Sequence, residues 1–150
     1  MSTLKRILLV DDDNHDVELT LLALGEYRLA NEVDVARDGE QALDYLHRRG
    51  AFAGRQSANP GVILLDLKMP KVDGLEVLKA IRADAELRLI PVVILTSSRE
   101  ERDLVEGYSL GVNAYVVKPV DFQQFMDAIK QIGAFWAVIN EAPPNGLEGD

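Results

Sequence analysis

Five short apolar runs recur along the chain: Ile7-Val10, Val33-Ala36, Val62-Leu65, Val92-Leu95 and Ala114-Val117. Each is strand-sized, and each reads as continuous rather than alternating, with β-branched residues throughout. That is the pattern of strands buried on both faces of a parallel sheet. The stretches between them are amphipathic and carry helix starts. Asp38 precedes Gln41, Asp73 precedes Glu76 and Ser98 precedes Glu101, each a capping acceptor followed three residues later by a side chain that can reach back. Strand and helix therefore alternate in a (βα)5 order. A chain of 150 residues holds one such core, whereas a closed eight-fold barrel needs about 250. The expectation is an open, doubly wound α/β domain. Arg49-Gly50 to Pro60-Gly61 reads as a longer surface loop, and Pro143-Pro144-Asn145-Gly146 as the start of a tail.

Composition removes several functions. Zero cysteines exclude disulfides, thiolate metal sites and thiol nucleophiles. His15 and His47 are the two histidines, too few for a histidine metal centre, and both are expected on the surface. A formal charge of −9 opposes nucleic-acid binding, which is driven by Lys and Arg releasing counterions. The apolar runs are far short of the ~20 residues of a membrane span, and the run that follows Met1-Ser2-Thr3-Leu4-Lys5-Arg6 is shorter than a secretory signal is expected to be. A cytoplasmic protein is expected.

In open α/β sheets ligands gather beyond the carboxyl ends of the strands. At those ends stand Asp11-Asp12-Asp13, then Asp66, then Thr96-Ser97-Ser98, then Lys118-Pro119. Crowded carboxylates repel one another, a conflict that a hard divalent cation relieves. Mg²⁺, held by one or two carboxylates plus phosphate, suits these groups. An aspartate carboxylate can attack phosphorus to give an acyl phosphate, with metal and lysine neutralising the charge and Thr96 supplying a hydroxyl. Some of the acids also have plainer uses: Asp13 or Asn14 caps the first helix, and Asp16 and Glu18 favour its first turn.

Val10-Asp11-Asp12, Leu64-Leu65-Asp66-Leu67-Lys68-Met69-Pro70 with Asp73-Gly74, Leu95-Thr96-Ser97 and Val117-Lys118-Pro119 together resemble the response-regulator receiver domain over roughly residues 4 to 132. The resemblance implies a flavodoxin-like five-stranded sheet of order 2-1-3-4-5. It implies Asp66 as phosphoacceptor, Asp12 as a direct metal ligand, Asp11 as a ligand through water, and the backbone carbonyl of Lys68 completing the protein's share of the shell. Mg²⁺ would be the ion, with Mn²⁺ able to substitute. Lys118 would pair with the phosphoryl group across a cis bond to Pro119, and Thr96 and Tyr115 would form a switch, Tyr115 being taken to lie on a central strand. Side chains at Lys68 and Ser98 would influence water access to the acyl phosphate. The donor would be a sensor histidine kinase. Such a protein catalyses its own phosphorylation and dephosphorylation without being a conventional enzyme.

The fifth helix starts near Asp121, and its apolar face of Phe122, Phe125, Met126, Ile129 and Ile132 continues through Ala134-Phe135-Trp136-Ala137-Val138-Ile139. A helix reaching residue 140 would be about 30 Å long and overhang the domain. The expectation is a receiver domain over 1–140, a tail over 141–150, and a homodimer in which Phe135, Trp136 and Ile139 form the partner surface. Gly133-Ala134-Phe135-Trp136, Asn140-Glu141-Ala142-Pro143-Pro144 and Asp44-Tyr45-Leu46 are similar to stand-alone regulators paired with phytochrome kinases. The downstream target is unknown. Three other functions compete: a phosphate sink, a haloacid-dehalogenase-type hydrolase and a flavin carrier. Asp66-Leu67-Lys68 lacks the hydrolase's second aspartate, and three acids after the first strand would repel a flavin phosphate.

Overall fold

A computed structural model describes residues 6–25, 33–56, 58–67, 69, 72–112 and 114–131. Strands β1 (Ile7–Val10), β2 (Val33–Ala36), β3 (Val62–Asp66), β4 (Val92–Thr96) and β5 (Ala114–Val117) alternate with helices α1 (Asn14–Gly25), α2 (Gly39–His47), α3 (Gly74–Ala83), α4 (Arg99–Gly107) and α5 (Phe122–Gln131). The strands form one sheet of order β2-β1-β3-β4-β5, parallel at every pairing. This is the flavodoxin-like order.

Period-two alternation divides the core between two layers. Ile7, Leu9, Leu64, Leu95 and Val116 pack with Val17 of α1 and Phe125 of α5. Leu8, Val10, Ile63, Leu65 and Ile94 pack with α2, α3 and α4 through Leu46, Leu78 and Val105. The three inner strands are sealed along their whole lengths. The outer two are not: β2 is half-buried over Val33–Val35, and β5 alternates before ending on an exposed Val117. An edge strand has a neighbour on one side only, which leaves room for Asp34 in β2. For the same reason Tyr115 stands on an edge strand and not a central one.

Asp38, Asp73 and Ser98 accept hydrogen bonds from the backbone N–H groups of Gln41, Glu76 and Glu101. The return bonds differ. Glu76 closes a reciprocal box on Asp73, whereas Gln41 and Glu101 reach one residue further back, to the N–H groups of Arg37 and Ser97. Asp13 caps α1, accepting from Asp16 N–H at 3.0 Å.

The described residues from Arg49 to Gly61 run mostly over the surface, as a loop should, but are anchored to the domain. They form a 3-10 turn at Gly50–Phe52, Phe52 sets its ring edge-on to Tyr45, and Pro60 and Gly61 are buried. The Arg55 guanidinium lies 4.1 Å over the Tyr45 ring and donates to the carbonyls of Tyr45 and Ala58. Side chains that the composition marked only as loop thus anchor it.

Candidate phosphoryl-transfer site

The ladders bring the acids together. Val10 pairs with Leu65, and Asp11 N–H continues the sheet by donating to Ala36 O at 3.0 Å, so Asp11 and Asp66 emerge side by side. Asp66 and Thr96 are not beyond their strands but are the last residues of β3 and β4, held by ladder bonds and buried. Lys118 N–H donates to Thr96 O at 2.8 Å, which carries the β4–β5 ladder one residue past β5. By the alternation, Asp11, Asp66 and Lys118 face the α1/α5 layer and Thr96 the other. The Lys118–Pro119 bond is cis.

Gly74 fixes the loop after Asp66. It is the first residue of α3, and a Cβ there would stand 2.2 Å from Asp66 O. Only glycine lets the helix start this close, and Gly74 N–H donates to Leu67 O at 2.9 Å. Asp73-Gly74 therefore serves as a cap followed by a close-approach residue.

Asp11, Asp12 and Asp66 each offer one carboxylate oxygen, all within 4.8 Å of one another. Asp11 is wholly buried. One of its oxygens accepts from Asp13 N–H, while Oδ2 is sealed without a directed hydrogen bond, its charged neighbour being Lys118 Nζ at 3.2 Å. Burial pushes the Asp66 carboxyl up to about 6. Lys118 works against this, and Asp11 and Asp12 add to it. Asp11 is raised chiefly by burial as well. The Lys118 ammonium touches Asp66 Oδ1 at 3.2 Å and Asp16 Oδ2 at 2.8 Å. Burial would weaken its hold on the proton, but Asp16, Asp66 and Asp11 outweigh that and hold it charged.

The donor set fits an oxygen-preferring divalent cation: three hard carboxylates converge, and among the described residues no histidine or cysteine joins them. Lys68, whose carbonyl was expected to join them, lies outside the described residues. So do Phe135, Trp136 and Ile139.

The cleft above Asp66 is about 520 Å³ and is lined by Asp12, His15, Asp16, Ser97, Glu101 and Lys118 among others. Asp16 and Glu101 were missed as site residues. Each has a sufficient local explanation at a helix start, and the sequence signal that distinguishes them is only their position on first turns that face the rim. Glu101 is a buried carboxylate that accepts from Ser97 N–H at 3.0 Å and Ser97 Oγ at 3.2 Å, so it holds the residue next to Thr96. Ser98 spends its hydroxyl on the α4 cap. Tyr115 pairs in register with Ile94, on Thr96's side of the sheet. Its hydroxyl is sealed without a hydrogen-bond partner among the described residues, and Arg102 covers its ring at 4.5 Å.

A parallel sheet of this order, with an acid triad and a lysine at its carboxyl rim, defines a phosphate-handling receiver of the flavodoxin-like class. The chain belongs to the response regulator receiver domain family, which it matches over residues 7–130, and it is a response regulator of two-component signalling. It is similar to the bacteriophytochrome response regulator RtBRR, at 63% identity with a TM-score of 0.85 over 97% of this chain and 87% of that one. It is also similar to the phosphorylated cyanobacterial phytochrome response regulator RcpA, at 38% identity with a TM-score of 0.73 over 95% and 100% of the two chains. Response regulator Rcp1 of Synechocystis sp. is 38% identical over 132 residues, 88% of each chain. The Mn²⁺-bound structure of Rcp1 superposes with a TM-score of 0.71 at 36% identity, over 93% of this chain and 99% of that one. Membership implies a histidine kinase as partner and a divalent cation at the acidic rim. Among the described residues no helix is long and apolar enough to cross a membrane.

Proposed function

We propose that the chain accepts a phosphoryl group on Asp66 from the phosphohistidine of a phytochrome-type sensor kinase, with Mg²⁺ as its ion and Mn²⁺ as a substitute. The observation that carries this is the convergence of Asp11, Asp12 and Asp66 oxygens within 4.8 Å with Lys118 Nζ on Asp66. An Asp66 oxygen attacks phosphorus as the nitrogen–phosphorus bond of the donor breaks, leaving neutral imidazole on the kinase and an acyl phosphate here. Asp12 would hold the cation directly and Asp11 through water, with the Lys68 carbonyl as a further oxygen. The cation, when bound, relieves carboxylate repulsion and neutralises phosphoryl charge. Lys118 pairs with the phosphoryl oxygens, and Thr96 turns its hydroxyl toward them.

Thr96 moving inward opens space for Tyr115, whose orphaned hydroxyl supports a second position for the ring. The output is then a population shift in the surface formed by α4, β5 and α5. The domain spans 1–140 with a tail over 141–150, works in the cytoplasm, and forms a homodimer through Phe135, Trp136 and Ile139. Similarity to RtBRR, RcpA and Rcp1 supports the phytochrome assignment. Beyond the self-catalysed gain and loss of its own phosphate, the chain turns over no substrate.

Incubation with acetyl phosphate and Mg²⁺, followed by intact mass, tests the reading. One added phosphate is expected, absent in Asp66→Asn and blocked by chelator. Continuous hydrolysis of a separate phosphate ester would instead assign a hydrolase. Light scattering on Trp136→Ala tests the dimer, and an unchanged mass would reject that surface.

A further inference from the structure

Lys118 sits among three carboxylates, and its shortest contact is with the one outside the acid triad. Asp16 Oδ2 is 2.8 Å from Nζ, against 3.2 Å for Asp11 and for Asp66. The three partners have different fates under the function proposed above, on which this inference rests. Asp11 and Asp66 would share the cation, and Asp66 would give up its charge on forming the acyl phosphate. Asp16 is not among the oxygens that converge as a cation site and forms no bond to phosphorus.

The anchor is also rigid. Asp16 lies in the first turn of α1, where its own N–H is bound by the capping Asp13, and Val17 behind it is buried against the sheet. A lysine has a flexible four-carbon stem carrying about 2 kcal/mol of rotamer entropy, so a fixed partner beside the reacting oxygen removes much of the search for a productive position. We propose that Asp16 is a positioning residue that holds the Lys118 ammonium beside Asp66 for phosphoryl transfer, joining the first turn of α1 to the β5–α5 loop across the site.

A double-mutant cycle on the full chain tests this, with phosphate uptake from acetyl phosphate and Mg²⁺ followed by intact mass. Asp16→Asn is expected to slow uptake about tenfold, and Asp16→Glu to recover most of the rate. In the Lys118→Ala background, Asp16→Asn is expected to have no further effect, because its action runs through the ammonium. Uptake by Asp16→Asn at the wild-type rate or faster would overturn the proposal, as would an equal loss in both backgrounds, which marks a helix-start charge acting alone. Unfolding midpoints within error of wild type for Asp16→Asn separate positioning from misfolding. If the wild type takes up no phosphate, or if Lys118→Ala takes it up normally, the site reading itself fails.

Discussion

Asp34 and Asp66 stand in the same sheet, toward its opposite ends, and their carboxyls are driven in opposite directions. Burial would raise both. At Asp34 the Arg6 guanidinium binds both oxygens, at 2.7 and 3.0 Å, and the Tyr45 hydroxyl donates to one of them. Together they outweigh burial and hold the group below the usual carboxylate range. At Asp66 one lysine is shared among three acids, two of the neighbours are acids themselves, and the group rises to about 6. The amino end of the sheet is electrostatically satisfied and the carboxyl end is not. A charge whose partners are all supplied by the fold serves structure, whereas one left in deficit marks a candidate functional site.

Four measurements would break or sharpen this contrast. Asp34→Ala removes the acceptor for Arg6 and Tyr45 and is expected to cost about 2–3 kcal/mol in denaturant unfolding, while phosphate uptake at Asp66 stays at the wild-type level. Asp66→Asn is expected to do the reverse, raising unfolding free energy by about 2 kcal/mol at neutral pH in chelator, because a neutral amide leaves the repelling cluster.

Divalent cation should stabilise the wild type by about 1.4 kcal/mol at a free concentration tenfold above Kd, seen as a rise in thermal midpoint. In Asp12→Asn that increment should shrink. The pH dependence is the subtlest test. Asp66 has its folded value above the unfolded one, so its favourable contribution is complete below the unfolded value of 3.8 and is lost as pH rises through about 6. Asp34 is depressed, so its contribution is present above the unfolded value and is lost as pH falls through the folded one. The stability gap between wild type and Asp66→Asn should therefore open between pH 4 and 6, and that between wild type and Asp34→Asn should close below pH 4. Parallel profiles for the two variants would erase the distinction.

Local patterns carried most of the fold. All five strands begin where the apolar runs begin, and the three inner ones are apolar up to the rim because an inner parallel strand is covered on both faces. Asp38, Asp73 and Ser98 read correctly as caps, because capping involves only near neighbours in sequence. The acids of the rim were legible because strand ends in this topology converge. Less visible was whatever depends on a distant partner. Asp16 looked complete as a first-turn acid, and its contact with Lys118 exists only once β1 and β5 share a sheet with α1 folded back. Arg55 looked like part of a polar loop until Tyr45 lay beneath it. Val33-Asp34-Val35 read as a continuous strand, and only its edge position shows why an acid there is tolerated.

The split of the rim between the two layers has one more consequence. Asp66, Asp11 and Lys118 belong to the α1/α5 side of the sheet, while Thr96 and Tyr115 belong to the other. The ladder bond from Lys118 N–H to Thr96 O crosses that divide at the reacting end. The sheet therefore acts as a partition stitched together by its own backbone ladder, so the two faces of the rim are held in one register where the strands end.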